Sequence, residues 1–344
     1  MMRSSQGFTL AELLVAVALM SIVASAVAVL VTNTHQLASA QSRIMDAQQR
    51  ARVIADTLGR DLRLAGAGLD RGPMFGPVNR AFSPIWPRRV GRLRADTVET
   101  ARPDVITLVH VPDTATQTTL AESDSAASGR VVLAPCLGDA MPCPVVRGTT
   151  LALFDPPGRM DLLGVLAPPA GSTQVRSLGA SAGAFEAGAL VAEVVVRSYY
   201  FDAAQGQLRL YDGDASDQPV VDAVASLTLE YFGTADPPQW PRPAPGDAGC
   251  AYDAFGSWRG GVTLVADDHG LARLPLTLFR DGPWCGAGGT AFDVDLLRVR
   301  RIRVVVILRG TDVNDAGPAY RVAFDITPRN LSLNGGTEEE MAPW

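Results

Sequence analysis

Four cysteines, Cys136, Cys143, Cys250 and Cys285, are the residues of this 344-residue chain best able to form covalent or metal bonds. Three disulfide pairings are open to them, and proximity in sequence favours Cys136 with Cys143 and Cys250 with Cys285. In an oxidising compartment each such link contributes about 2–4 kcal/mol. Zinc needs compact ligand spacing, which C-x6-C and C-x34-C do not supply, so neither a metal nor another cofactor is expected. Gly179-Ala180-Ser181-Ala182-Gly183 satisfies G-x-S-x-G, yet it sits in a run of Ala, Gly and Ser without the strand and helix that a nucleophile elbow requires. Histidine occurs only at His35, His110 and His269, and no convergent set of nucleophile, base and oxyanion donors is visible, so no enzymatic activity is expected. The stretches beginning at Asp212 and Asp312 start like calcium loops but lack Glu at the twelfth position and read as turns.

Charge narrows the field further. All thirty basic residues are Arg and none is Lys, which excludes Schiff-base and Walker-type lysine chemistry. Against thirty-six acidic residues they leave a net charge of −6, the wrong sign for a general nucleic-acid binder. Arg298, Arg300, Arg301 and Arg303 could touch phosphates, but alternation with Val299, Ile302 and Val304 more simply puts some of them on the wet face of a strand. With 47% hydrophobic and 19% charged residues, the chain has the material for a core.

One carboxylate is conspicuous by its position. Glu12 is the single charge within residues 8–31, FTLAELLVAVALMSIVASAVAVLV, a 24-residue run that as a helix is about 36 Å long. That length crosses a hydrocarbon core of about 30 Å. Burying a carboxylate there costs on the order of 2.5–3.5 kcal/mol, which calls for a partner, unless the residue lies at headgroup depth where the helix dipole favours it. Ala24-Ser25-Ala26 could serve as a secretory cleavage site, but that reading leaves Glu12 unexplained.

Gly7-Phe8-Thr9-Leu10-Ala11-Glu12, with the apolar run behind it, resembles the class III signal of type IV prepilins and type II secretion pseudopilins. The resemblance implies a leader of residues 1–7, cleavage after Gly7 by a prepilin peptidase, and methylation of the new terminus at Phe8. It also implies that Glu12 pairs with the terminal amine of a neighbouring subunit, which would relieve both charges in lipid.

The helical pattern runs on. Leu37, Ile44, Ala51, Ile54, Leu58 and Leu62 form an amphipathic stripe, while Gln41, Arg43, Asp46, Gln49, Arg50, Arg52, Asp56 and Arg60 occupy the other face. This predicts one helix, membrane-spanning over 8–31 and amphipathic over 32–65, roughly 80 Å long. The Arg63-Leu64-Ala65-Gly66 phrase that ends it resembles the same point in minor pilins of the PilW family, and reads by itself as a glycine C-cap. Beyond it, residues 66–344 read as an antiparallel, β-rich head, with strands at 105–111, 130–133, 150–154, 189–201, 207–211, 225–232, 262–266, 302–309 and 320–326. Residues 194–201 and 207–211 form a hairpin, and 234–289 is a Pro- and Gly-rich elaboration. The later strands resemble the PilW family more loosely and shade into the J-type minor pseudopilin.

The expected fold is therefore α+β and type IV pilin-like: a long N-terminal transmembrane and amphipathic helix carrying a C-terminal β-rich globular head. The expected function is that of a minor pilin, the size of the head arguing against a major one, with a type II secretion pseudopilin as the alternative. The expected partners are the prepilin peptidase, other minor and major pilins, the inner-membrane assembly platform and a tip adhesin. The head would lie in the periplasm before assembly and at the pilus tip after it. A domain tethered by an ordinary signal anchor would instead never expose a methylated Phe8.

Overall fold

The computed structural model describes residues 9–68, 83–91, 94–97, 99–112, 117–123, 130–135, 145–146, 148–154, 160–165, 174–176, 185–236, 262–268, 270–282, 284–285, 292–309 and 319–331. Among these residues helix α1 (Leu10–Leu64) is followed by sixteen strands in chain order. These are β1 (Ile85–Trp86), β2 (Val105–His110), β3 (Gln117–Thr119), β4 (Arg130–Val132), β5 (Thr150–Phe154), β6 (Met160–Gly164), β7 (Gln174–Arg176) and β8 (Leu190–Asp202). Then come β9 (Gln207–Tyr211), β10 (Asp217–Val221), β11 (Val224–Gly233), β12 (Ala272–Leu274), β13 (Trp284–Cys285), β14 (Phe292–Asp293), β15 (Val299–Leu308) and β16 (Tyr320–Ile326).

One long apolar N-terminal helix followed by an antiparallel β-rich domain is the pilin-like α+β arrangement. Nothing breaks α1 because neither Pro nor Gly occurs between residues 8 and 58. It stops where Ala65 donates its N–H to Asp61 O at 3.0 Å and Gly66 turns to φ +78, a conformation that glycine adopts without steric penalty. The stripe meets the head later than its spacing predicts. Ile44 is 51% exposed, and burial begins at Ala47 and continues through Ala51, Ile54, Leu58, Leu62 and Ala65. Arg50, expected on the solvent side, turns inward instead and donates to Asp222 O and Arg309 O at 3.3 and 3.1 Å, with Asp46 2.6 Å away.

Among the described residues all strand pairings are antiparallel, in two main sheets and two small two-stranded ones. The larger sheet is built on β8, whose thirteen residues pair with β3 and β5 through their first half and with β2 and β9 through their second. The β8–β9 hairpin stands in the expected place, with Ser198 opposite Tyr211 and Asp202 opposite Gln207. In the second sheet, ordered β12-β11-β15-β16, the strand β15 buries alternate residues Ile302, Val304, Val306 and Leu308. Alternation also separates two cores at β5: Ala152 and Phe154 join the main cluster with α1, while Leu151 and Leu153 join a second cluster around Leu163 and Phe185.

Several strands were not evident from the sequence, among them β1, β3, β6, β7, β10 and β12 to β14. One expected strand is absent: residues 262–266 make only an isolated bridge, Ala266 to Ala272. Their main chain is engaged elsewhere, Leu264 N–H bonding Ala235 O while Val262 O accepts from Arg298, and Val265 is 92% exposed. Arg298 itself leaves the wet face altogether. Fully buried, it donates to Thr234 O, Ala235 O and Val262 O and pairs with Asp295 at 2.9 Å, so it fastens the start of the elaborated segment to the second sheet. The outward arginines pack on the sheet as well, Arg301 and Arg303 lying over the Phe232 ring.

The calcium-like stretch at Asp212 is a turn: its carboxylate accepts from the N–H of Asp214 and Ser216 at 2.9 and 3.0 Å. Asp217 is taken by Arg209 at 2.9 Å, by the Tyr200 hydroxyl at 2.7 Å and by Arg94. The similar stretch at Asp312 lies outside the described residues, as do Gly179-Ala180-Ser181-Ala182-Gly183 and His269. Asp281, Asp293 and Asp295 bring their carboxylate oxygens within 4.8 Å of one another, but Asp293 accepts from Gly282 and Asp295 N–H and Asp295 holds Arg298.

Burial first, and the neighbouring charges of Asp295 and Asp281 after it, push the Asp293 carboxyl up to about 7 even though two N–H groups bond to it. A carboxyl raised in this way holds its proton more tightly in the folded state. Its contribution to stability is complete below the unfolded value of about 4 and is lost as pH rises through about 7. Denaturant midpoints of the full chain in detergent should accordingly fall between pH 5 and pH 8, and Asp293→Asn should flatten that fall; a wild-type midpoint that rises over this interval overturns the assignment.

Candidate functional site

The candidate site has two parts, the start of α1, which the sequence singles out, and its C-terminal end, where the helix meets the head. At the N-terminus, Gly7 and Phe8 lie outside the described residues. Thr9 is the N-cap, and with Glu12 it forms a capping box: Glu12 N–H donates to Thr9 Oγ1 at 3.3 Å, while Thr9 N–H and Oγ1–H both donate to Glu12 Oε2 at 3.0 Å. Glu12 therefore satisfies helix donors that would otherwise have no partner in an apolar medium. Its second oxygen, Oε1, is not used by this cap.

The stretch Leu10–His35 is long and apolar enough to cross a membrane, and none of it is buried against the head. Leu13, Leu14, Val17, Met20, Ile22, Val23, Val27 and Leu30 all stand exposed. Its few hydroxyls need nothing from outside: Ser21, Ser25, Thr32 and Thr34 each donate to a carbonyl three or four residues earlier. With its hydroxyls satisfied within the helix, the segment presents lipid or neighbouring helices with an almost unbroken apolar surface. His35 marks its end.

At the other end, Asp61 fixes the helix to the sheet. It is only 2% exposed, and its Oδ2 accepts from the Tyr199 hydroxyl at 2.6 Å and from Arg197 Nη1 at 2.8 Å, both side chains rising from β8. Arg60 approaches the other oxygen at 3.4 Å. Burial, reinforced by the adjacent carboxylate, pushes the Tyr199 phenol far above its ordinary value, so it remains a donor. His110 on β2 is held below the usual imidazole range by burial and then by Arg197, and is neutral at pH 7. Two main-chain bonds and one from a side-chain amide complete the joint. Gly66 N–H donates to Val109 O at 2.9 Å, Val111 N–H to Ala67 O at 2.8 Å, and Asn330 Nδ2 to Arg63 O at 3.2 Å. Gly68 sits so close to β2 that a side-chain carbon there would lie 2.6 Å from Val111 O.

Of the expected disulfide residues, Cys136, Cys143 and Cys250 lie outside the described residues, and the backbone of Cys285 forms part of β13. Asp61 and Arg197 were missed as functional positions. The signal was present: Asp61 directly precedes Leu62 of the apolar stripe, and Arg197 ends a run of three valines.

Residues 2–28 match the prokaryotic N-terminal methylation motif. No curated protein and no solved structure matches the chain. The motif is that of prepilin-type proteins, so the chain carries the signal that leads to prepilin peptidase processing, anchoring by the apolar helix and association with other pilins. Proteins that carry it are in general structural rather than enzymatic.

Removing the Asp61 carboxylate leaves a buried phenol and a partly buried guanidinium without their acceptor. Asp61→Ala should destabilise the full chain by about 2–3 kcal/mol, whereas the exposed Asp56→Ala stays within about 0.5 kcal/mol, both read as shifts in urea midpoint. Equal midpoints for the two variants would show that Asp61 does not fasten the helix.

Proposed function

We propose that this protein is a minor pilin of the PilW family that primes or caps a type IV pilus. The observation that carries the reading is continuity: the methylation motif at residues 2–28 runs directly into a helix of 55 residues whose apolar part has no protein to cover it. In this reading the prepilin peptidase cuts after Gly7 and methylates Phe8, and the helix waits in the inner membrane with the head, residues 66–344, in the periplasm. The inner-membrane assembly platform then draws it laterally into a bundle of other minor and major pilins. Glu12 holds one subunit in register against the next by pairing its free Oε1 with a neighbour's terminal amine, an arrangement compatible with the cap that Oε2 forms with Thr9. Cys136–Cys143 and Cys250–Cys285 close loops of the exported head, which at the tip meets an adhesin or other minor pilins.

The first test is to delete the gene and, in the same cultures, score sheared pili, twitching motility and secreted exoproteins. Loss of pili with normal secretion is expected. Normal pili with exoproteins retained in the periplasm would make the protein a type II secretion pseudopilin, and no change in either would overturn both. Mass spectrometry of the mature chain should find a terminus at N-methylated Phe8, and Gly7→Lys should leave residues 1–7 in place.

A further inference from the structure

The two faces of the second sheet differ in what covers them. On β15, Ile302, Val304, Val306 and Leu308 are buried in the core shared with α1, so Arg301, Arg303, Val305 and Ile307 lie on the outward face. The strand register sorts that face into rows. Phe232 and Arg301 stand level, then Glu230, Arg303 and Asp325, then Thr228, Val305 and Ala323, then Ser226, Ile307 and Arg321. In the first two rows every charge is answered: Arg303 pairs with Asp325 at 2.7 Å, Arg273 with Glu230 at 2.9 Å, and Arg301 lies 3.7 Å from Asp267. The last two rows are a floor of uncharged side chains that ends in Arg321, and by alternation Arg309, two residues beyond Ile307, continues the same side. Both arginines are exposed, and among the described residues neither guanidinium has a hydrogen bond or ion pair.

The chain itself carries the complement to this patch. Glu338, Glu339 and Glu340 are its one run of three consecutive like charges, and Met341, Pro343 and Trp344 follow directly. Residues 332–344 start from a fixed point, because Leu331 is buried and Asn330 Nδ2 donates to Arg63 O at 3.2 Å, at the C-terminal end of α1. From there β16 lies back along the helix, with Ile326 against Gly59 and Tyr320 level with Leu308, whose neighbour Arg309 accepts at its main-chain O from Arg50. The distance from Gly66 down to the level of Arg321 is about 27 Å, made of about 10 Å of helix and about 17 Å of strand. Residues 332–340 span about 30 Å when extended. Asn334-Gly335-Gly336 supplies the turn chemistry by which a chain leaving the helix end can reverse towards the sheet.

We propose that the outward face of the second sheet docks the chain's own C-terminal segment, with Glu338, Glu339 and Glu340 against Arg321 and Arg309 and the side chains of Met341 and Trp344 over Val305 and Ile307. Exposed ion pairs of this kind are weak between separate molecules, but a short tether holds the segment at a millimolar effective concentration beside its patch. The carboxylates choose the end of the face where the cations are unpaired, and the apolar side chains cover the floor between them. The inference is defined by the head alone and stands apart from the assembly reading above.

Because the chain holds no lysine, one Arg→Lys substitution supplies a single side-chain amine for carbodiimide coupling to a neighbouring carboxylate. Three variants of the full chain in detergent are coupled and read by peptide mass spectrometry. Arg321→Lys lies on the patch, Arg63→Lys lies where the segment starts, and Arg273→Lys, whose amine should join Glu230, shows that the coupling works. Arg321→Lys should join Glu338, Glu339 or Glu340 roughly three-fold or more above Arg63→Lys, since an undocked segment meets the nearer position more often. That yield should fall several-fold as sodium chloride rises from 0.05 to 0.5 M, and again when Trp344→Ala is added. A smaller ratio, a yield that neither salt nor Trp344→Ala changes, or no coupling of 338–340 to position 321 while Arg273→Lys joins Glu230 overturns the proposal. So do links that, in a mixture of unlabelled and isotope-labelled chains, join only different chains, which would make the face a contact between copies.

Discussion

A helix whose apolar first half is not buried against any described part of its own chain persists only if something else keeps that half out of water. The contacts that hold the head to α1 begin at Ala47, so residues 10–46, about 55 Å of helix, project beyond them. Helix propensity does not hold such a segment on its own, and the hydrophobic surface it carries is large. A bilayer or a bundle of similar helices is the environment that this geometry requires. The capping box at Thr9 and Glu12, and the hydroxyls turned back onto the helix carbonyls, show the same constraint at the level of single hydrogen bonds, since each removes a polar group that lipid could not satisfy.

The second half of the helix answers the opposite requirement, that the head be held in one orientation. Apolar packing along Ala51, Ile54, Leu58 and Leu62 supplies most of the burial but is tolerant of sliding and rotation. Asp61 removes that freedom, because its carboxylate reaches both the Tyr199 hydroxyl and the Arg197 guanidinium only at one rotation and one height of α1. The two bonding residues belong to β8, the strand from which the larger sheet is built, so helix register and sheet register are set by the same few atoms. Gly66 then bonds its N–H to Val109 O of β2, and Gly68 comes closer to Val111, just past that strand, than any side chain would allow.

Much of this was legible in the residues. The helix, its span and its C-terminal stop follow from an apolar run, a stripe and a glycine, all local signals. Strands β2, β5, β8, β9, β11, β15 and β16 were legible because their alternation or continuous apolarity is strong over five or more residues. The short strands β1, β3, β7 and β12 were not, since two or three residues carry no period and form strands only because a neighbour offers a free edge. Arg298 was unreadable for another reason. In sequence it belongs to a basic alternating run, and only the return of residues 234–235 and 262 to its side converts it from a surface charge into a buried clamp. Arg50 was misplaced similarly, its acceptors lying 172 and 259 residues away.

The joint between spine and head has a mechanical meaning. Force applied along α1, and resisted by something gripping the head, runs along the contact from Ala47 to Ala65. Loaded in this direction, the packed side chains and the bonds of Asp61 and Gly66 share the pull simultaneously, in shear, and none is exposed to be peeled away ahead of the others. A sideways pull at the head would open the same interface from one end. The architecture is consequently strong in tension along the helix axis and weak in bending.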